Sequence, residues 1–171
     1  MRRSALDDLA YRPAFETRRD WVFDETFRQS EDIECWLRLA LSTDWEIEGV
    51  PGLLTLYRVN GGGLSANTDR QFAAWERMVE KLRPLNPGFF ERHEGAARAY
   101  QLRYLARRAV SAHDGDAAWS LVRRAMEHSL LPLLEEPVKT AVPLCAAAAL
   151  KLLGPPPVRH AARLRARGAA R

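Results

Sequence analysis

Phe23-Asp24-Glu25, Phe27, Glu31-Asp32, Trp36 and Arg38, continued by Leu56-Tyr57-Arg58-Val59-Asn60-Gly61-Gly62-Gly63 and Ser65, form the most informative pattern in the chain. Ser30 is a candidate cap for a helix that begins at Glu31 and Asp32. Ile33, Trp36, Leu37 and Ala40 then fall at i, i+3, i+4 and i+7, which predicts one inward face. Acids in a first turn also suit the positive end of the helix dipole. Residues 45–50 read as a short extended segment, and Pro51-Gly52 punctuates it. Residues 53–59 read as a second extended run, rich in apolar and β-branched side chains. Gly61-Gly62-Gly63 follows as a loop.

The two carboxylates Glu31 and Asp32 are the chemically suggestive pair. A carboxylate on a rigid first turn, facing a cleft, is placed to act as a general base. Acids at helix starts are also common for electrostatic reasons alone, and spacing by itself favours that plainer role.

The wider order of residues resembles the second half of family-2 glycosyltransferases, which have the nucleotide-sugar-binding glycosyltransferase-A fold. In that family a Phe-Asp-Glu turn precedes an acidic pair, then a Trp and an Arg on the same helix, a strand ending in Tyr-Arg, and a glycine-rich loop ending near a serine. Here the matching positions are Phe23-Asp24-Glu25, Glu31-Asp32, Trp36, Arg38, Tyr57-Arg58 and Ser65. Met1-Arg2-Arg3-Ser4-Ala5-Leu6 resembles the strand-to-helix segment that precedes the turn. The resemblance covers about residues 1–67 and implies an α/β remnant of the glycosyltransferase-A fold, followed by a mainly α-helical tail domain over residues 68–157 and a basic tail over 158–171.

The activity implied by the resemblance is an inverting transfer of a sugar from a nucleotide-sugar donor to an acceptor hydroxyl on a glycan or lipid-linked acceptor. Asp32 is implied as the general base, with Glu31 supporting it or touching the acceptor. Trp36 is implied as a substrate-side residue that also packs to fix the helix. Arg58 has two open roles, a contact to the departing diphosphate or a salt bridge to a nearby carboxylate. Ser65 is a loop contact, and Asn67 reads as a cap for the next helix.

Two departures from the family pattern limit the reading. The family binds its donor and a divalent Mg or Mn ion through an N-terminal half with an Asp-x-Asp motif, which these residues do not contain. Asp114-Gly115-Asp116 has the letters but lies in a turn between two helical patterns, and Asp7-Asp8 lies in a helical stretch. Asn60 stands where some members carry a metal-binding histidine. No metal ligands are therefore assigned in this chain, which is expected to be inactive alone. A separate chain, or further polypeptide lost by truncation, would supply the donor half.

Past residue 67 nearly everything reads as helix. Four stripes are predicted to face inward: Phe72, Trp75, Met78, Val79 and Leu82; Ala99, Leu102, Leu105, Ala106 and Ala109; Ala118, Leu121, Val122, Ala125 and Met126; and Val138, Ala141, Val142, Cys145, Ala148, Ala149 and Leu152. His113-Asp114-Gly115-Asp116 joins two of them in a hairpin of tetratricopeptide-like form, with no repeat at a fixed period. The alternative to an enzyme is a non-catalytic helical module that binds a partner protein.

Composition bounds these readings. With 47% hydrophobic and 28% charged residues, the 171-residue chain is an ordinary globular sequence, long enough to build a core without disulfides or metals. Cys35 and Cys145 are too few and too far apart for a disulfide framework or metal cluster. Residues 141–153 are the most apolar run and fall short of the roughly 20 residues of a membrane span. The net charge of +4 is concentrated at the end, where Arg159, Arg163, Arg165, Arg167 and Arg171 follow with no acid after Glu136. That excess suits a solvated terminus or peripheral contact with the inner face of a membrane in the cytoplasm. Without interleaved aromatics it does not suggest nucleic acid.

Overall fold

The structure, a computed structural model, describes residues 1–52, 54, 56 and 67–154. Among them are helices α1 (Arg3–Leu9), α2 (Glu31–Ser42), α3 (Thr68–Leu82), α4 (Pro87–Ala112), α5 (Gly115–His128), α6 (Leu131–Glu135) and α7 (Pro137–Leu153), with a 3₁₀ turn at Arg83–Leu85. The chain divides into two compact units, Met1–Arg92 and His93–Arg171, with the start of α4 in the first and the rest in the second.

No strand occurs among the described residues, and a single antiparallel bridge between Tyr11 and Trp21 is the only β pairing there. This corrects the α/β remnant expected from the sequence: the described chain is helical. Residues 45–50, read as a strand, form none. An extended segment becomes a strand only when a neighbour takes up its N–H and C=O groups, and here no described segment lies alongside. Trp45 is instead tied to the first helix, its Nε1 donating to Asp8 Oδ2 at 2.8 Å. Most of the second run, 53–59, lies outside the described residues, as do Gly61-Gly62-Gly63 and the basic tail. Of the opening residues, Arg3–Leu9 form α1.

In the first unit, Ala5 and Leu9 of α1 meet Cys35 and Leu39 of α2, with Val22 and Trp45 against them. The whole α3 stripe, Phe72, Trp75, Met78, Val79 and Leu82, is buried as its spacing predicts. Asn67 caps this helix, its Oδ1 accepting from Arg70 N at 2.9 Å. The buried face of α2, however, is Glu34, Cys35, Arg38 and Leu39, not the predicted Ile33, Trp36, Leu37 and Ala40. Ile33, Trp36 and Ala40 are exposed.

In the second unit, Ala99, Leu102, Leu105, Ala106 and Ala109 of α4 are buried, as are Ala118, Leu121, Val122 and Ala125 of α5. The turn between them is built as its residues suggest: His113 takes a left-handed φ of 60°, and Asp114 Oδ1 accepts from Ala117 N at 3.0 Å to cap α5. The helix α7 packs on α5 and α6. Its buried residues are Thr140, Pro143 and Ala147, while Val138, Val142, Cys145, Ala149 and Leu152 of the predicted inward stripe are exposed. A helix apolar on every side gives periodicity no face to choose.

Gly115 sets the closeness of α5 to α7. A Cβ there would lie 2.8 Å from both the carbonyl carbon and oxygen of Leu150, and 2.9 Å from Lys151 N. These are backbone atoms and cannot rotate away. Gly115→Ala is expected to destabilise the chain by about 1–3 kcal/mol, the usual cost of overpacking. A urea-unfolding midpoint equal to that of the parent protein would contradict this.

Candidate functional site

Glu31 and Asp32 form the first turn of α2 and both are exposed. Ser30, immediately before them, has φ 66° and ψ 13°, a left-handed conformation, and its side chain makes no cap bond. This corrects the expectation that the Ser30 hydroxyl caps the helix. Only its carbonyl serves, accepting from Glu34 N at 2.9 Å. A non-glycine residue in this region costs of order 1–3 kcal/mol and persists where surrounding structure enforces it. At the next position Asp32 Oδ1 accepts from Ile33 N at 2.8 Å, which orients the carboxylate along the turn.

A buried charge network lies behind the helix. Glu34 is fully buried and receives Arg38 Nε at 2.9 Å and Lys81 Nζ at 2.7 Å on Oε1. Lys81, from α3, also donates to Asp24 Oδ2 at 2.7 Å. Asp24 Oδ1 accepts from Thr26 N at 2.9 Å and Thr26 Oγ1 at 2.6 Å. Arg38 reaches further, donating to the carbonyls of Leu9 at 2.7 Å and Val22 at 2.5 Å, and stacking over the Tyr11 ring. Two acids and two bases thus form a charge-balanced quartet that ties α1, the turn at Asp24, α2 and α3 together. Desolvation of each charge is offset by its partners.

The Phe23-Asp24-Glu25 turn acquires its meaning here. Asp24 is a buried post of the quartet, Glu25 is engaged on the surface by Arg19 at 2.6 Å, and Phe23 is exposed. Trp36 is about half exposed, at 48%, so α2 is fixed by its charged face and Cys35 and Leu39 rather than by Trp36. Trp36 instead lines an open groove with Met1, Arg2, Trp45, Ile47 and Glu48. Arg58 and Ser65 lie outside the described residues.

Glu34 and Lys81 were not legible as functional supports. The i, i+4 spacing of Glu34 and Arg38 is a local signal for a pair. Nothing local joins them to Lys81, 47 residues away.

The quartet predicts a pH profile. Burial raises the Asp24 carboxyl, but hydrogen bonds from Lys81 and Thr26 outweigh it and hold the group below its ordinary range. Burial opposes the Lys81 charge, yet its bonds to Asp24 and Glu34 raise it above the usual lysine value. In acid the unfolded chain binds the Asp24 proton more readily, so that contribution is present above the ordinary carboxyl pKa of ~3.9 and is lost as pH falls through the lowered folded value. The Lys81 contribution is full below ~10.4 and is lost as pH rises through the raised folded value. Urea midpoints measured across this range should form a plateau with both limbs, and Asp24→Asn should flatten the acid limb. An unchanged acid limb in that variant would contradict the assignment.

The acids whose spacing resembles a metal motif are engaged elsewhere. Asp7 pairs with Arg3, Asp8 with Trp45, Asp114 caps α5, and Asp116 pairs with Lys151. No group of three or more His, Cys, Asp or Glu side chains able to hold a metal ion occurs among the described residues. The Mg or Mn ion implied by the resemblance thus finds no fitting donor set among them. No helix of the described residues is long and apolar enough to cross a membrane.

Comparison with known proteins found no protein family, no curated protein and no solved structure that matches this chain.

Proposed function

We propose that this chain carries the acceptor-side, general-base part of a family-2-like inverting glycosyltransferase. The observation that carries the reading is the exposed Glu31-Asp32 turn, preceded by the left-handed Ser30 and clamped from behind by Glu34, Arg38, Lys81 and Asp24. A base is useful only if its support holds it still while its carboxylate stays open to substrate, and this turn combines both. The order of residues from Phe23 to Ser65 supplies the reaction class.

In the proposed step the acceptor hydroxyl oxygen attacks the anomeric carbon of the donor sugar. The bond from that carbon to the diphosphate oxygen breaks, and the electron pair leaves with the nucleoside diphosphate. Asp32 takes the hydroxyl proton, with Glu31 beside it on the acceptor side. Arg58 is assigned the departing diphosphate, which its planar donors suit. The groove beside Trp36 and the exposed Ile33, Ile47 and Val50 suit a surface covered by donor-binding polypeptide outside these residues.

Calorimetry of the isolated chain tests the division of labour. Titration with a uridine or guanosine diphosphate sugar in the presence of Mn is expected to give no binding tighter than about 1 mM. Tight, metal-dependent binding would overturn the assignment of the donor site to polypeptide outside this chain.

A further inference from the structure

The outward face of α7 asks for a cover. Val138, Val142, Cys145, Ala149 and Leu152 recur at alternating steps of four and three residues, and all are exposed. At roughly 100° per residue they fall within about 80° of the helix circumference, along about 21 Å of its length. Val138 is 72% exposed and Leu152 82%, and Leu153 lies beside the stripe's end. Nothing in the packing on α5 and α6 uses this face, because Thr140, Pro143 and Ala147 occupy that side.

Charge indicates what covers it. Residues 93–171 hold 13 Lys and Arg against 6 Asp and Glu, whereas residues 1–92 hold 13 against 16. The basic excess belongs to the unit that contains α7. After Glu136 every charged side chain is basic, and five arginines follow the helix within 18 residues of its end at Leu153. We infer that the apolar stripe of α7 docks the second unit, whose sequence carries the basic excess, onto an anionic lipid surface.

An exposed apolar helix face on a unit of basic sequence supplies the two signals that stable peripheral attachment needs, apolar insertion and attraction to anionic headgroups. At 17 residues α7 is short for a span, so it would lie along the interface. A second copy fits less well. Parallel pairing of two stripes brings two arginine-rich sequences together, and any pairing sets two units with a basic excess side by side without a counter-charge. Nucleic acid would match the charge but leave the apolar stripe without a role, and no aromatic residue stands among the arginines for base stacking. The inference stands apart from the transferase reading, since it uses none of the residues of α2.

The test is flotation of the full chain with vesicles of about one-third phosphatidylglycerol in phosphatidylcholine, against phosphatidylcholine alone. Cys145 is exposed and Cys35 buried, so an environment-sensitive fluorophore can be placed selectively on the stripe. The chain is expected to float with the anionic vesicles only, to be released by high salt, and to show a blue shift of the fluorophore on binding. Val142→Asp and Leu152→Asp each replace an exposed residue and are expected to weaken partitioning by about ten-fold, with unchanged helicity. Failure to float, or equal flotation with neutral vesicles, would overturn the inference. So would anionic binding with no blue shift and no effect of the two substitutions, since the stripe would then lie idle. A blue shift that rises with protein concentration in the absence of vesicles would assign the face to a second copy instead. Retention of RNA or DNA without vesicle binding would assign the charge to nucleic acid.

Discussion

Glu34→Ala is expected to destabilise the first unit by about 3–5 kcal/mol, the usual cost of breaking a buried ion pair from one side. Glu34 is the hub of the quartet and is fully buried. Its removal leaves the Arg38 guanidinium, 9% exposed, without its carboxylate, and takes one of two acidic partners from Lys81. Domains are stable by only about 5–15 kcal/mol, so a loss of this size unfolds a large share of the molecules under mild denaturant. Glu34→Gln should cost less, because the amide oxygen still accepts from one of the two cations while the net charge is no longer balanced. The measurement is the urea midpoint of the full chain, followed by fluorescence of the tryptophans in the first unit. A change below about 1 kcal/mol for Glu34→Ala would show that the quartet is not what holds α2.

The same network explains which parts of the molecule were legible in the sequence. Helices α3, α4 and α5 carry one apolar stripe on an otherwise polar surface, and each buries that stripe. Asn67 and Asp114 read as turn and cap residues, and their side chains accept backbone N–H groups at the starts of α3 and α5. Two helices were read with the wrong face inward, for opposite reasons. In α2 the inward positions include Glu34 and Arg38, and a pattern rule assigns charges to solvent unless their partners are known. The partners Asp24 and Lys81 come from distant parts of the chain, so only the fold brings them together. In α7 apolar residues occur all round, so periodicity had no contrast to work with.

The expected strands failed for a third reason. Residues 45–50 have no described neighbour with which to form a ladder. Of the candidate site, the acidic pair was legible as carboxylates on a helix start, and that is where Glu31 and Asp32 stand. The left-handed Ser30 before them was not, because its hydroxyl suggested an ordinary cap. Trp36 is on the helix as read but is half exposed beside the groove.

On the proposed transferase reading, Asp32→Asn is expected to lower sugar transfer, measured with a donor half supplied, by about 10²–10⁴-fold, the range contributed by a positioned general base. Asparagine has nearly the same shape and can still accept from Ile33 N, but it cannot take the acceptor proton. Because Asp32 is exposed and outside the quartet, folding should change by no more than about 0.5 kcal/mol. Glu31→Gln is expected to act mainly on KM for the acceptor, since the proposal places Glu31 beside the acceptor and gives its proton to Asp32. The decisive measurement is therefore kcat for transfer by Asp32→Asn in the enzyme with its donor half supplied, taken together with the urea midpoint of the same protein. The account predicts loss of at least about 100-fold in kcat with an unmoved midpoint. Turnover retained within a few-fold of the parent, in a protein that folds normally, would contradict it and remove Asp32 from the base role.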